Sequence, residues 1–128
     1  MDKKKILVVD DEPDILRVTS IRLKKLGYNV LTAVDGKQGL DTMRREKPDL
    51  VLLDLVMPSM DGAEVCEQLK NDKVLKHVPI ILFTAGGSPA MTDEKVKQFG
   101  ADDYIVKPFD PEEFRGKVEK ILAQGAHL

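Results

Sequence analysis

Residues 6–13 read ILVVDDEP, four apolar residues followed at once by Asp10, Asp11 and Glu12. A short, unbroken apolar run suits a strand covered on both faces, as in a parallel sheet. Three adjacent carboxylates repel one another, and charge beside buried backbone is costly. The stretch therefore makes sense only if something at that end of the strand compensates the acids.

Similar runs recur along the chain. Leu50–Leu53, Pro79–Phe83 and Tyr104–Val106 are apolar, while Asn29–Val34 mixes in polar residues and suits an edge strand. Helix-like segments separate them. Residues 13–26 place Leu16, Thr19, Leu23 and Leu26 on one stripe; 36–46 follow Asp35-Gly36, and 62–70 follow Asp61-Gly62. In 111–123, Phe114, Val118, Ile121 and Leu122 have the spacing of a buried helix face, with Asp110 as cap, Pro111 in the first turn and Glu113 as a capping-box acid. Five strands alternating with five helices predict βαβ units with right-handed crossovers. Sites in such sheets form beyond the carboxyl ends of the strands. If Asp10 and Asp11 share a site with Asp54, strands one and three must be neighbours and strand two must lie outside strand one.

Composition sets the outer limits. The 128 residues predict one domain, 1–128, with a short tail at 124–128. Twenty basic and 22 acidic residues, net −2, argue against direct nucleic-acid binding. Lys3–Lys5 reads as a solvated N-terminus, and His77 and His127 as surface residues. Cys66 is the only cysteine, which suits a reducing compartment and an incidental thiol. No apolar run is long enough for a signal peptide or membrane span, so a cytoplasmic protein is expected.

The strand ends carry the chemistry. Asp54 follows the third run, Thr84 the fourth and Lys107 the fifth. Each alone has an ordinary reading: Asp10-Asp11 as caps for the next helix, Asp54 as a loop acid, Thr84 as a turn residue, Lys107 as an edge lysine. Together they gather carboxylates suited to Mg²⁺, a hydroxyl donor and a fixed cation at one rim. That is a place for a phosphoryl group carried on a carboxylate.

The segments ILVVDDEP, PDLVLLDLVMPSMDG, PIILFTA and GADDYIVKPF, in this order and spacing, resemble the receiver domain of two-component response regulators over about residues 4–123. The match is to a single-domain, chemotaxis-regulator-like receiver. The resemblance implies a three-layer, doubly wound (βα)5 fold with a five-stranded parallel sheet ordered 2-1-3-4-5, flavodoxin-like. It implies that Asp54 takes a phosphoryl group from a phosphohistidine on a sensor histidine kinase or phosphotransfer protein. It makes Asp10, Asp11, Asp54 and the Val56 carbonyl ligands of Mg²⁺, with Mn²⁺ as a substitute, and Lys107 the neutralising cation. Glu12 is expected near the rim but not as a ligand. Thr84 and Tyr104 become the switch that changes the face of helix four, strand five and helix five. Met57-Pro58 and Asp61-Gly62 are expected to shape the loop after Asp54, and the Lys107-Pro108 bond is expected to be cis.

The segment TAGGSPAMTDEKVKQFGADDY departs from the family pattern. It predicts a flexible loop at 86–91 and a short fourth helix beginning near Thr92, with Thr92 as its cap. Val56 and Gly86 offer no side chain to orient water, so fast self-hydrolysis of the phosphate is not expected. A haloacid-dehalogenase-type phosphatase is the enzymatic alternative, but Val56 stands where its general acid belongs. A flavodoxin-like FMN module lacks its phosphate loop here, and no GxxxxGK[ST] supports a nucleotidase. A phosphorelay intermediate that passes the group to a phosphotransfer histidine is the alternative within the family. With no effector domain after residue 123, the reading is a stand-alone or excised receiver, not an enzyme beyond its own phosphorylation and dephosphorylation. It is a monomer or phosphorylation-dependent dimer, with no membrane contact and a downstream protein target.

Overall fold

A computed structural model describes residues 3–55, 62–85 and 92–125. Five parallel strands form one sheet: β1 Lys5–Val9, β2 Asn29–Ala33, β3 Leu50–Asp54, β4 Ile80–Ala85 and β5 Asp103–Lys107. Their order is β2-β1-β3-β4-β5. Strands one and three are neighbours, as a shared acidic site requires. Helices α1 Pro13–Lys25, α2 Gly36–Glu46, α3 Gly62–Lys70, α4 Asp93–Phe99 and α5 Pro111–Gly125 connect and flank the strands.

The sheet has two buried faces because side chains alternate along each strand. Leu7, Val9, Val51, Leu53 and Leu82 pack with Leu40 and Met43 of α2 and Val65, Cys66 and Leu69 of α3. Ile6, Val8, Leu50, Leu52, Ile81 and Phe83 pack with Leu23 of α1 and Phe114, Val118, Ile121 and Leu122 of α5. Hence β1, β3 and β4 read as continuous apolar runs. The mixed burial of β2 reflects its edge position. Among the described residues, no helix is long and apolar enough to cross a membrane.

Element ends follow local chemistry. Asp35 caps α2 by accepting from Gln38 N at 2.8 Å. In return the Gln38 Oε1 accepts from Val34 N at 2.9 Å. That bond takes Val34 out of the ladder, so β2 stops at Ala33, one residue before the predicted end. Replacing Asp35 with alanine is expected to lower stability by about 1 kcal/mol in urea melts without changing the far-UV circular dichroism. Thr92 caps α4 as predicted, accepting from Lys95 N at 3.1 Å. Asp110 Oδ1 accepts from Glu112 N at 2.9 Å at the start of α5. Glu113 makes no capping box; its carboxylate lies 3.4 Å from Lys117 Nζ, one turn on.

Two helix ends and one further element also differ from expectation. α1 ends at Lys25, with Leu26 as its C-cap, while α5 continues past 123 to Gly125. A short 3₁₀ turn, Leu75–His77, precedes β4 where no element was expected. Asp72 organises it by accepting from Val74 N and Leu75 N at 2.8 and 3.0 Å. The expected loop at 86–91, the 57–61 segment and His127 lie outside the described residues.

Candidate functional site

The strands carry the polar residues one or two positions further than their apolar runs suggest. Asp54 and Lys107 are the last residues of β3 and β5, and Thr84 is next to last in β4. Asp10 follows β1 directly, its N–H still donating to Ala33 O at 3.1 Å. Parity then sorts them. Asp54 and Lys107 continue the alternation that faces α1 and α5, whereas Thr84 continues the alternation that faces α2 and α3.

Lys107 must cross β4 to reach β3, because β4 lies between them. Its four-carbon stem makes that crossing, with the ammonium 5.9 Å from the centre of the Phe83 ring. The Nζ lies 2.8 Å from Asp10 Oδ2, 3.3 Å from Glu12 Oε1 and 3.4 Å from Asp54 Oδ2. The Lys107-Pro108 bond is cis, as expected. Burial pulls the Lys107 pKa down, but the close ion pair with Asp10, the charge of Asp54 and the hydrogen bond to Glu12 outweigh it, so the net shift is upward. The ammonium is therefore charged throughout the physiological range.

Four carboxylates, of Asp10, Asp11, Glu12 and Asp54, each offer an oxygen within 4.8 Å of the others. Asp10 is fully buried and Asp54 nearly so. Asp10 Oδ1 accepts from Glu12 N at 2.9 Å. Its other oxygen, Oδ2, is buried without a hydrogen bond of good geometry, and the ammonium of Lys107 is its ionic neighbour. Against four carboxylates, one lysine leaves a net negative cluster. Hard oxygen donors, a negative balance and an underused buried oxygen fit a divalent cation of the Mg²⁺ type.

The capping alternative for the acids fails on geometry. The N-cap of α1 is Glu12, and it makes no side-chain cap bond. Asp10 turns back to brace the loop and Lys107 instead of serving the helix. Glu12 stands at the rim, as expected, and contacts Lys107.

Thr84 is buried at the end of β4, and its strand neighbour β3 presents Asp54 in register with Phe83. Tyr104 lies outside the rim. It sits three residues before Lys107, half-buried against the α2–α3 core. Lys117 of α5 places its ammonium 4.7 Å from the centre of the Tyr104 ring and also donates to the Tyr104 carbonyl. Asp103 Oδ1 lies 3.3 Å from the same ammonium. Sequence periodicity gives no sign of Lys117, which falls off the apolar stripe of α5; its pairing with Glu113 at i, i+4 is the one available signal. Val56 lies outside the described residues.

A buried Asp54 carboxylate, with further acids, a crossing lysine and a strand-end threonine beside it, thus stands at the carboxyl end of a 2-1-3-4-5 parallel sheet. The chain belongs to the response regulator receiver domain family, whose model matches residues 6–119.

Comparisons with individual proteins agree. The chain is 44% identical over 124 residues to the probable transcriptional regulator ycf27 of Porphyridium aerugineum, covering 95% of this chain and 49% of that protein. It is 45% identical over 121 residues to the alkaline phosphatase synthesis transcriptional regulatory protein PhoP of Bacillus subtilis, covering 93% and 48%. The chain thus spans about half the length of the curated relatives it matches. Since these relatives are named as transcriptional regulators, the expectation of no direct nucleic-acid contact applies only to the receiver fold described here. Among solved structures, the chemotaxis protein CheY4 of Vibrio cholerae aligns with a TM-score of 0.85 and 29% identity, covering 94% of this chain and 99% of that one. The receiver domain of the sensor histidine kinase PA1611 from Pseudomonas aeruginosa aligns with a TM-score of 0.85 and 30% identity, covering 95% and 99%. That protein carries a magnesium ion coordinated in its active site cleft.

Proposed function

We propose that the chain is a phosphoacceptor of a two-component system, with Asp54 as the residue that receives the group. The supporting observation is the convergence of Asp10, Asp54 and Glu12 on the Lys107 ammonium at 2.8–3.4 Å. A carboxylate oxygen of Asp54 attacks phosphorus, the P–N bond of a phosphohistidine on a sensor kinase or phosphotransfer protein breaks, and imidazole leaves. Lys107 neutralises equatorial oxygens of the transferring group, where most catalysis of phosphoryl transfer resides. Asp10, Asp11 and Asp54 would hold Mg²⁺, completed by the Val56 carbonyl. The bound ion supplies charge neutralisation at the phosphoryl oxygens.

The signal leaves through Thr84 and Tyr104. A phosphoryl group on Asp54 adds charge and acceptor oxygens, and Thr84 closes on one of them. Tyr104 then turns, changing its packing on the α2–α3 core and its contact with Lys117. Both states exist before phosphorylation, and the group shifts their populations by binding one better. A cytoplasmic location suits phosphotransfer from a kinase, and a downstream protein reads the altered α4-β5-α5 face.

Intact-mass measurement after incubation with acetyl phosphate and Mg²⁺ tests this. One added phosphoryl group is expected, absent when the metal is chelated and absent from Asp54→Asn. An adduct that persists in the variant contradicts the assignment.

A further inference from the structure

We propose that Glu12 is a specificity-determining residue of this site, slowing transfer from strongly anionic small-molecule donors by keeping a negative charge at the mouth beside Asp54. The inference rests on the reading of Asp54 as phosphoacceptor.

Glu12 is held in place although its side chain is exposed. Its N–H donates to Asp10 Oδ1 at 2.9 Å, and its carbonyl accepts from Leu16 N at 3.1 Å. It occupies the N-cap of α1, yet its carboxylate does not cap the helix. The carboxylate is turned to Lys107 instead, at 3.3 Å. The Glu12 side chain is 58% exposed, against 0% for Asp10 and 8% for Asp54. Of the three acids on the ammonium, Glu12 is therefore the one that meets an arriving donor from the solvent side.

Its carboxylate oxygen lies within 4.8 Å of an Asp54 carboxylate oxygen. A phosphoryl group bonding to Asp54 thus enters at close range to a fixed negative charge. Two separable effects follow. Glu12 competes with phosphoryl oxygens for Lys107, which slows every donor equally. It also repels the donor as a whole, and this effect grows with donor charge. Acetyl phosphate is close to a dianion at neutral pH, whereas phosphoramidate carries a protonated amine and less net charge. In both reactions the Asp54 O–P bond forms. The P–O bond to acetate breaks in one, and the P–N bond to ammonia breaks in the other.

The test compares the wild type, Glu12→Gln and Glu12→Asp at saturating Mg²⁺, following adduct formation by intact mass. Gln keeps length and hydrogen-bonding capacity but removes the charge. The acetyl phosphate rate of Glu12→Gln is expected to rise about three-fold and the phosphoramidate rate less, with the difference shrinking at high salt. Glu12→Asp, which keeps the charge, is expected to retain the wild-type ratio of the two rates. An unchanged ratio in Glu12→Gln, or a fall with both donors, overturns the role of Glu12 and leaves Asp54 as phosphoacceptor intact. A wild-type protein that accepts phosphoryl from neither donor overturns both.

Discussion

Lys107→Met is expected to slow phosphorylation of Asp54 by about 10²–10³-fold and to weaken the metal-free fold by about 3 kcal/mol. The kinetic loss follows from removing the ammonium that, among the described residues, meets the acids of the rim and in the proposed reaction neutralises the phosphoryl oxygens. Charge spreads over those oxygens in the transition state, so a preorganised ammonium acts there more than in the ground state. The stability loss follows from Asp10, which is fully buried and has the ammonium 2.8 Å from its Oδ2. Without Lys107 that charge stands uncompensated beside Asp11, Glu12 and Asp54. Methionine keeps most of the stem that packs over Phe83, so lost apolar contact contributes little. Mg²⁺ is expected to recover part of the stability and little of the rate. Urea melts with and without Mg²⁺, alongside adduct rates, separate the two effects; unchanged stability in the absence of metal would show that Lys107 does not hold Asp10.

Gly62→Ala is expected to slow phosphorylation by about 10²-fold, through displacement of the Asp54 backbone. Gly62 opens α3 and donates its N–H to Leu55 O at 2.8 Å. A Cβ built on Gly62 would lie 2.6 Å from Asp54 O and 2.7 Å from Leu55 Cα. Both atoms are backbone, so no side chain can swing aside. Either α3 or the end of β3 must shift, and the overpacking is expected to reduce stability by about 1–3 kcal/mol. Because Asp54 has to meet Lys107, its fellow acids and the donor at once, a shift well under a residue length disturbs the reaction. Adduct kinetics beside urea melts would check this, and wild-type kinetics would show that the Asp54 backbone is not set by α3.

Much of this arrangement could be read from residue order. Strands covered on both faces lose alternation and become apolar runs, which marked β1, β3 and β4 directly. Asp10, Asp54 and Lys107 were legible because each interrupts such a run at its carboxyl end. Their meeting was legible only as a constraint on strand order, since sequence does not show that Lys107 crosses β4. The bond from Gln38 to Val34, which ends β2, depends on a side chain folding back from α2. The 3₁₀ turn at Leu75–His77 depends on one aspartate carboxylate, and no periodicity announces it. Glu12 was visible as an acid at the rim, but its hold on Lys107 comes from two segments 95 residues apart. Lys117 remained hidden because charged residues off the apolar stripe of a helix are ordinarily solvated.

The central claim is that this acidic rim exists to carry a phosphoryl group on one carboxylate. Borohydride reduction of the acetyl phosphate-treated protein, followed by peptide mapping, tests it most directly, because an acyl phosphate is reduced to an alcohol at the modified residue. The expected result is conversion at Asp54 alone, dependent on divalent metal. Conversion at Asp10 or Asp11, or an adduct that survives reduction on a histidine or hydroxyl residue, would contradict it.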